Sequence, residues 1–317
     1  MFLNRWIFLL TVSAVFTLGG CTEEATGPPR PPTDPAKLTV VFQKQANAAE
    51  VEANAKNVTR FLAGELGIEV DRKIPLTYAF AVQALIDGSC HLAYLDSYAF
   101  LKARREGQVE LILAEVRTDA QGRQRTDYDS IMVVRKDSPL KTIDDLKARA
   151  DKLTFCFTSR SSTSGYLMAM RRFVQEGLLQ PGQAPEEVFK TITIGNGYDN
   201  AIQEVLEGRA DACAVSFYAL EGPRADKYTS AMERAELRVL ARTGGVPTHL
   251  ICVQKNLSNE LKQNIKAAFL KLSNRHSEWL ADVYGAKKLR EVDEDKHVVG
   301  TIEALEAIGK NADDFIK

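Results

Sequence analysis

Short apolar runs alternate with stretches of helical period along most of the chain, and this alternation limits the fold more than any other feature. KLTVVFQ (37–43) reads as a buried strand. The stretch NAAEVEANAKNVTRFLAGELG then carries apolar residues three and four apart and stops at Gly67. IPLTYAF (74–80) reads as a second short strand, AVQALIDGSC as a helix stopped by Gly88, and HLAYLDSYAF as a third strand running into a loop. Strands separated by single helices predict an α/β fold whose sheets are mostly parallel and flanked by helices.

The pattern then restarts. DSIMVVRKDS is a strand, TIDDLKARA a helix capped by Thr142, and KLTFCF a strand followed by a helix from about Ser164 to Leu178. FKTITIG and ADACAVSF are strands joined by the helix NAIQEVLEG, and ELRVLARTG and HLICVQKN follow. From SNELKQNIKAAFLKLS onward the chain is mostly helical, and no fixed-period repeat is present. At 317 residues one core usually divides, so two lobes are expected. The expected boundaries are 38–133 with 254–317 for the first lobe, if the tail packs back on it, and 134–253 for the second. The chain would then cross near Ile131–Val134 and near Leu250–Val253, making a two-strand hinge beside a cleft.

Two N-terminal segments, 1–20 and 21–37, fall outside the alternation. Arg5 precedes an apolar run from Trp6 to Leu18, and Gly19 and Gly20 follow. That is the build of a targeting signal, and the run is shorter than the roughly 20 residues of a spanning helix. Leu18-Gly19-Gly20-Cys21 resembles the bacterial lipoprotein box, which implies cleavage before Cys21 and lipidation of its thiol and new amine. An ordinary secretory signal with an incidental Cys is the alternative. TEEATGPPRPPTDPAK has five Pro in sixteen residues, so it cannot form a core and reads as a stiff tether.

With 41 basic and 42 acidic side chains the net charge is -1, which gives no basis for nucleic acid as a partner. Cys156, Cys213 and Cys252 lie inside apolar runs and read as buried thiols, with a disulfide or a soft metal or metalloid as alternatives. Together with Cys90 they match no zinc spacing, and no metal or cofactor is expected.

The most informative stretch is FTSRSSTSGYLMAM (157–170), where hydroxyls crowd between a strand and a helix. A helix start exposes unpaired N–H groups and a positive dipole end. Ser162, Thr163 and Ser164, with Gly165 allowing close approach, make an anion site without Lys or Arg. Simple N-capping is the bland reading, but one residue suffices for a cap.

STSGYL after a strand resembles the phosphonate- and phosphite-binding components of bacterial ABC importers. TYAFAVQALIDGSCHLAYLDSYAF resembles that family's segment with a ligand-facing Tyr, here Tyr78. GNGYDNAIQEVLEGRADACAVSFYAL and RKDSPLKTIDDLKA resemble two further segments, so the likeness covers most of 37–257. The resemblance implies a type II periplasmic-binding-protein fold with an oxyanion held between two lobes. Tyr198 stands where the family has His, and Ser216 where an acidic residue is common. His249 stands where relatives often carry an Asp that accepts from a protonated ligand oxygen or an amine; His249 either faces the ligand or is structural at the crossing strand. Asp96 stands where relatives usually carry a small residue, and it either faces the cleft or caps the next helix. Asp199 is expected to cap a helix from Asn200, and Arg160 to be a solvated loop residue.

An enzyme is the rival class. His91, His249, His276 and His297 are the only His, no GxSxG or SxxK surrounds Ser162 or Ser164, and no HExxH is present. The expectation is therefore a binding protein, not an enzyme, with a secreted hydrolase as the remote alternative. The expected protein is a monomeric, lipid-anchored, extracytoplasmic subunit that binds a small oxyanion and serves an ABC permease and ATPase. The alternative is a ligand sensor acting on a membrane kinase. An arsenic oxyanion as its ligand would need a cleft thiol, with Cys156 or Cys213 as candidates.

Overall fold

The computed structural model describes residues 34–43, 48–107, 109–118, 123–222 and 225–311. The targeting signal, Cys21 and the tether up to residue 33 lie outside them. In chain order the first half holds β1 (Lys37–Phe42), α1 (Ala48–Leu66), β2 (Glu69–Lys73), α2 (Tyr78–Ile86), β3 (Leu92–Leu95), α3 (Ser97–Glu106), β4 (Val109–Thr118) and β5 (Gln124–Arg125). There follow β6 (Asp127–Arg135), α4 (Ile143–Lys147), β7 (Thr154–Phe157), α5 (Met168–Gln175), β8 (Thr191–Ile194), α6 (Tyr198–Leu206), β9 (Ala212–Ser216), α7 (Ala231–Ala235) and β10 (Leu237–Pro247). The chain ends in β11 (Leu250–Gln254), α8 (Asn259–Arg275), α9 (Ser277–Tyr284), β12 (Lys288–Arg290) and α10 (Glu294–Ala307).

Two sheets result. The first has the order β12-β4-β11-β3-β1-β2, with β5 on β4; the second has the order β10-β6-β9-β7-β8. The expected parallel pairing holds for β1 with β2 and β3, and for β7 with β8 and β9. The remaining strands pair antiparallel, because β11 and β6 carry the chain back between the sheets. The α/β class therefore stands, with mixed rather than mostly parallel sheets.

β3 and β9 are buried at every position, as strands covered on both faces should be. α3 and α4 begin at side-chain caps, Asp96 and Thr142, the latter in a full capping box with Asp145.

Several boundaries differ from the sequence reading. The second strand is EVDRK rather than IPLTYAF, because Thr77 accepts from Phe80 N and starts α2 at Tyr78. Helix also replaces the loop after β3. VELILAEVRT forms β4, which period alone left unassigned. β6 lies wholly in the second sheet and β11 wholly in the first. The crossings therefore fall at Thr126 and at Thr248–His249, not within Ile131–Val134 and Leu250–Val253. The tail divides too: α8 and α9 pack on α1, whereas α10 packs on β10 and α5 of the second sheet and also bonds the first sheet's side, Thr301 to Ser97 and Glu294 to Arg104 and Leu111 N. Gly300 permits that last contact, since a Cβ there would sit 2.6 Å from the Gly245 carbonyl oxygen.

Candidate ligand-binding site

The segments leaving the carboxyl ends of β1, β3 and β7 meet, where open α/β sheets place ligands. Gln43 follows β1, Asp96 follows β3, and Thr158 to Gly165 follow β7. Ser216 ends β9 and pairs in register with Ser130, whose hydroxyl donates to the Ser164 carbonyl at 2.7 Å.

The hydroxyls of the β7 turn have separate tasks. Thr158 Oγ1 donates to the Ala214 carbonyl at 2.8 Å and ties the turn to β9. Ser162 Oγ caps the helix by accepting from Gly165 N at 3.0 Å. The first turn is π-helical, with Leu167 N donating to the Ser162 carbonyl at 3.1 Å, a local widening often found at functional sites. Gly165 is required there: a Cβ would lie 2.3 Å from Thr158 Cβ. Thr163 reaches the first sheet's side, its Oγ1 accepting from Tyr98 N at 2.8 Å and donating to Asp96 Oδ1 at 3.0 Å. Ser164 Oγ lies 2.9 Å from the Tyr198 hydroxyl.

Around this turn are polar atoms without partners. Among the described residues the hydroxyls of Tyr78, Tyr128 and Ser216 are buried and make no hydrogen bond. An unpaired buried hydroxyl costs roughly 1–3 kcal/mol, so three in one place are the mark of a site built for something else. Burial pushes the Tyr78 phenol well up, and Tyr198, Asp96 and Tyr128 beside it add to the effect. The Tyr128 phenol is raised by burial and by Tyr198 and Asp96, with Ser164 close by. These phenols stay neutral and able to donate.

A second buried cluster stands behind the first. Glu115 takes Tyr94 Oη at 2.5 Å and Arg117 Nη2 at 2.8 Å, and His249 Nδ1 lies 3.5 Å away. Burial pushes the Glu115 carboxyl up, but Arg117 with His249 and Tyr94 outweighs it, and the net shift is downward. The His249 ring stacks on Tyr284 at 5.4 Å and on Tyr128 at 6.0 Å. Arg117 lies 4.2 Å over the Tyr218 ring. A cavity of about 690 Å³ opens beside these groups, with Arg117, Tyr128, Tyr218 and Tyr228 in its wall. Tyr218 and Tyr228 also pack on Tyr198 at 5.7 and 5.8 Å, so cavity and hydroxyl cluster share one aromatic layer.

Tyr78, Asp96, Ser162, Thr163, Ser164, Tyr198 and Ser216 thus come together, with His249 at the rim facing Glu115. Asp96 caps α3 through Ala99 N, as one of its two readings expects, and its carboxylate also accepts from Thr163 Oγ1. Asp199 is not the expected cap: α6 already begins at Tyr198, after Gly197. Arg160 pairs with Glu186 on the surface. Cys156 and Cys213 are register partners buried within the second sheet, and burial pushes the Cys156 thiol up to about 11. Neither thiol therefore supports soft-oxyanion capture. Sequence reasoning missed Tyr128, Ser130, Glu115 and Arg117. Glu115 did leave a signal, an acid in the middle of an apolar strand with Arg two residues on, on the same face.

A family model described as the phosphonate ABC transporter periplasmic substrate-binding protein matches residues 40–297. The chain belongs to this family. It is 22% identical over 241 residues to the phosphate-import protein PhnD of Mycolicibacterium smegmatis, covering 76% of this chain and 73% of that one. The binding-protein component of an ABC phosphonate transporter from Pseudomonas aeruginosa superposes with a TM-score of 0.74 at 18% identity, over 86% of this chain and 87% of its own. PhnD1 of Prochlorococcus marinus in complex with methylphosphonate gives a TM-score of 0.72 at 20% identity, over 88% and 100%. These structures share the periplasmic-binding-protein fold with this chain. The family is one of transport binding proteins rather than enzymes, and among the described residues no helix is long and apolar enough to cross a membrane.

Proposed function

We propose that the protein is the extracytoplasmic solute-binding subunit of an ABC importer, taking a phosphonate, phosphite or phosphate-like oxyanion and passing it to its permease. Residues around the β7 turn hold the ligand: Ser162, Ser164 and Tyr198 with the hydroxyls of Tyr78, Tyr128 and Ser216. The observation that carries this reading is the convergence of three unpartnered buried hydroxyls on one helix start. Family membership and the methylphosphonate complex of the Prochlorococcus structure support the same ligand class.

The lobes in this reading are β1–β5 with β11 and β12, and β6–β10 with α10, closing over the ligand about the two crossings. Cys21 carries the lipid anchor, and residues 21–37 tether the domain to a membrane surface. The test is a thermal-shift and calorimetric series with methylphosphonate, phosphite, phosphate and sulfate. A true ligand at 100 times its Kd adds about 2.7 kcal/mol of stability. No shift with any phosphorus oxyanion would sink the assignment.

A further inference from the structure

Asp96 is a buried carboxylate beside the STSG turn. Both of its carboxylate oxygens are fully used. Oδ1 accepts from Ala99 N at 2.9 Å and from Thr163 Oγ1 at 3.0 Å; Oδ2 accepts from Gln43 Nε2 at 3.1 Å and from Thr163 N at 3.3 Å. The side chain therefore sits between two helix starts, capping α3 and taking the first donors of the STSG helix. Asp96 is 1% exposed.

Its hydrogen-bond partners among the described residues are all neutral. The nearby Lys102 turns its ammonium to Ser161 Oγ at 3.1 Å and to the Arg160 carbonyl. Arg117 is held by Glu115, and His249 Nδ1 also faces Glu115. The positive end of the STSG helix is thus already offset by a buried carboxylate. Burial raises the Asp96 carboxyl while the bonds from Ala99, Thr163 and Gln43 favour its charged form, so a ligand meets a ring of neutral hydroxyls next to a buried carboxylate. Hydroxyls can donate to an anion or accept from a protonated oxygen, but they cannot neutralise a second charge beside Asp96.

We propose that Asp96 is a specificity-determining residue that restricts the hydroxyl site to headgroups of a single negative charge and excludes doubly charged oxyanions. The inference rests on the hydroxyl cluster being the ligand site, and it adds the charge state that the site selects. Sequence position agrees: the acid lies at 96, on the side of the first sheet, while the position of the family's frequent acid holds His249.

The test compares two phosphonates of similar shape and different charge by calorimetry on the full chain. At a pH of about 6, methylphosphonate carries one charge, while trifluoromethylphosphonate, made more acidic by its fluorines, carries two. The protein's own groups (Tyr78, Tyr98, Lys102, Tyr128, Tyr198, His249 and Tyr284 around Asp96) are then in the same state in both titrations. The wild type is expected to bind methylphosphonate at least tenfold more tightly. Asp96→Asn keeps an N-cap for α3 and should narrow that gap tenfold or more. Equal affinities in the wild type, which need no variant to measure, or an unchanged gap in a folded Asp96→Asn protein, would overturn the inference and leave the oxyanion reading standing. Failure of the wild type to bind methylphosphonate, phosphite and phosphate alike would remove the site reading and this inference with it.

Discussion

Ser164 Oγ and the Tyr198 hydroxyl stand 2.9 Å apart and join the first turns of two helices that rise from neighbouring strands of the second sheet. Each has a partner at rest, and each can turn its proton to an arriving oxyanion. The Tyr78 hydroxyl has no such partner. The two kinds of residue should therefore respond differently to mutation.

Tyr78→Phe removes a buried hydroxyl that binds nothing in the free protein. Stability should stay level or rise by about 1 kcal/mol, while affinity for methylphosphonate falls roughly ten- to a hundredfold, the worth of one hydrogen bond to a charged group. Ser164→Ala should weaken binding similarly but also cost about 1 kcal/mol of stability, because Tyr198 loses one of its hydrogen bonds. Denaturant melts and calorimetry on both variants check the pair. Equal stability losses would show that Tyr78 has a structural partner after all.

Gly165→Ala tests the turn itself. The added methyl would collide with Thr158, whose hydroxyl is bonded to Ala214 and cannot yield freely. Overpacking of this kind costs about 1–3 kcal/mol, and the shift of the STSG turn should abolish measurable methylphosphonate binding. A variant with wild-type melting and affinity would show that the turn tolerates a side chain.

Much of this was legible in the sequence, and the failures have physical causes. The βα alternation located the parallel strands because they are short, apolar and bounded by caps and glycines. It missed β4 because a buried charge interrupts the apolar run, and Glu115 is stable there only through Arg117, Tyr94 and His249. The hydroxyls at 162–164 were found as a group, but their division was not. Thr163 serves Asp96 and Tyr98 across the two sheets, which depends on the approach of α3 and leaves no mark on local sequence. His249 reads from sequence as either ligand-facing or structural; the fold turns Nδ1 toward a carboxylate more than a hundred residues earlier in the chain, a partner that local sequence does not mark. The sequence leaves the tail's packing conditional; Gly300 lets α10 lie against β10, while Thr301 and Glu294 bond Ser97 and Arg104 on the first sheet's side, contacts that no local period marks.

Cys21 gives a prediction that depends only on the motif around it. Cys21→Ala should leave the protein unprocessed or release it from membranes after cell fractionation, while the purified domain binds methylphosphonate unchanged. Wild-type processing together with wild-type membrane association of the variant would assign the anchor elsewhere.

Glu115 links stability to pH. Its folded carboxyl is lowered, chiefly by Arg117 working against burial, while the unfolded carboxyl keeps its ordinary value near 4.5. Above the unfolded value both states are ionised, and the stabilisation is fully present. As pH falls through the unfolded value toward the folded one, the unfolded chain binds a proton that the native state refuses, and stability is lost. Glu115→Gln removes the charge at all pH values and leaves the Arg117 guanidinium buried without its counterion. Breaking a buried pair in this way costs about 3–5 kcal/mol. At neutral pH the variant should therefore melt well below the wild type, and the gap should close progressively below a pH of about 4. Glu115→Gln with Arg117→Met should recover part of the loss, since no lone charge then remains. Urea titrations of the three proteins between about pH 3 and 7 decide it: parallel stability curves for wild type and Glu115→Gln would show that Glu115 contributes nothing through its charge.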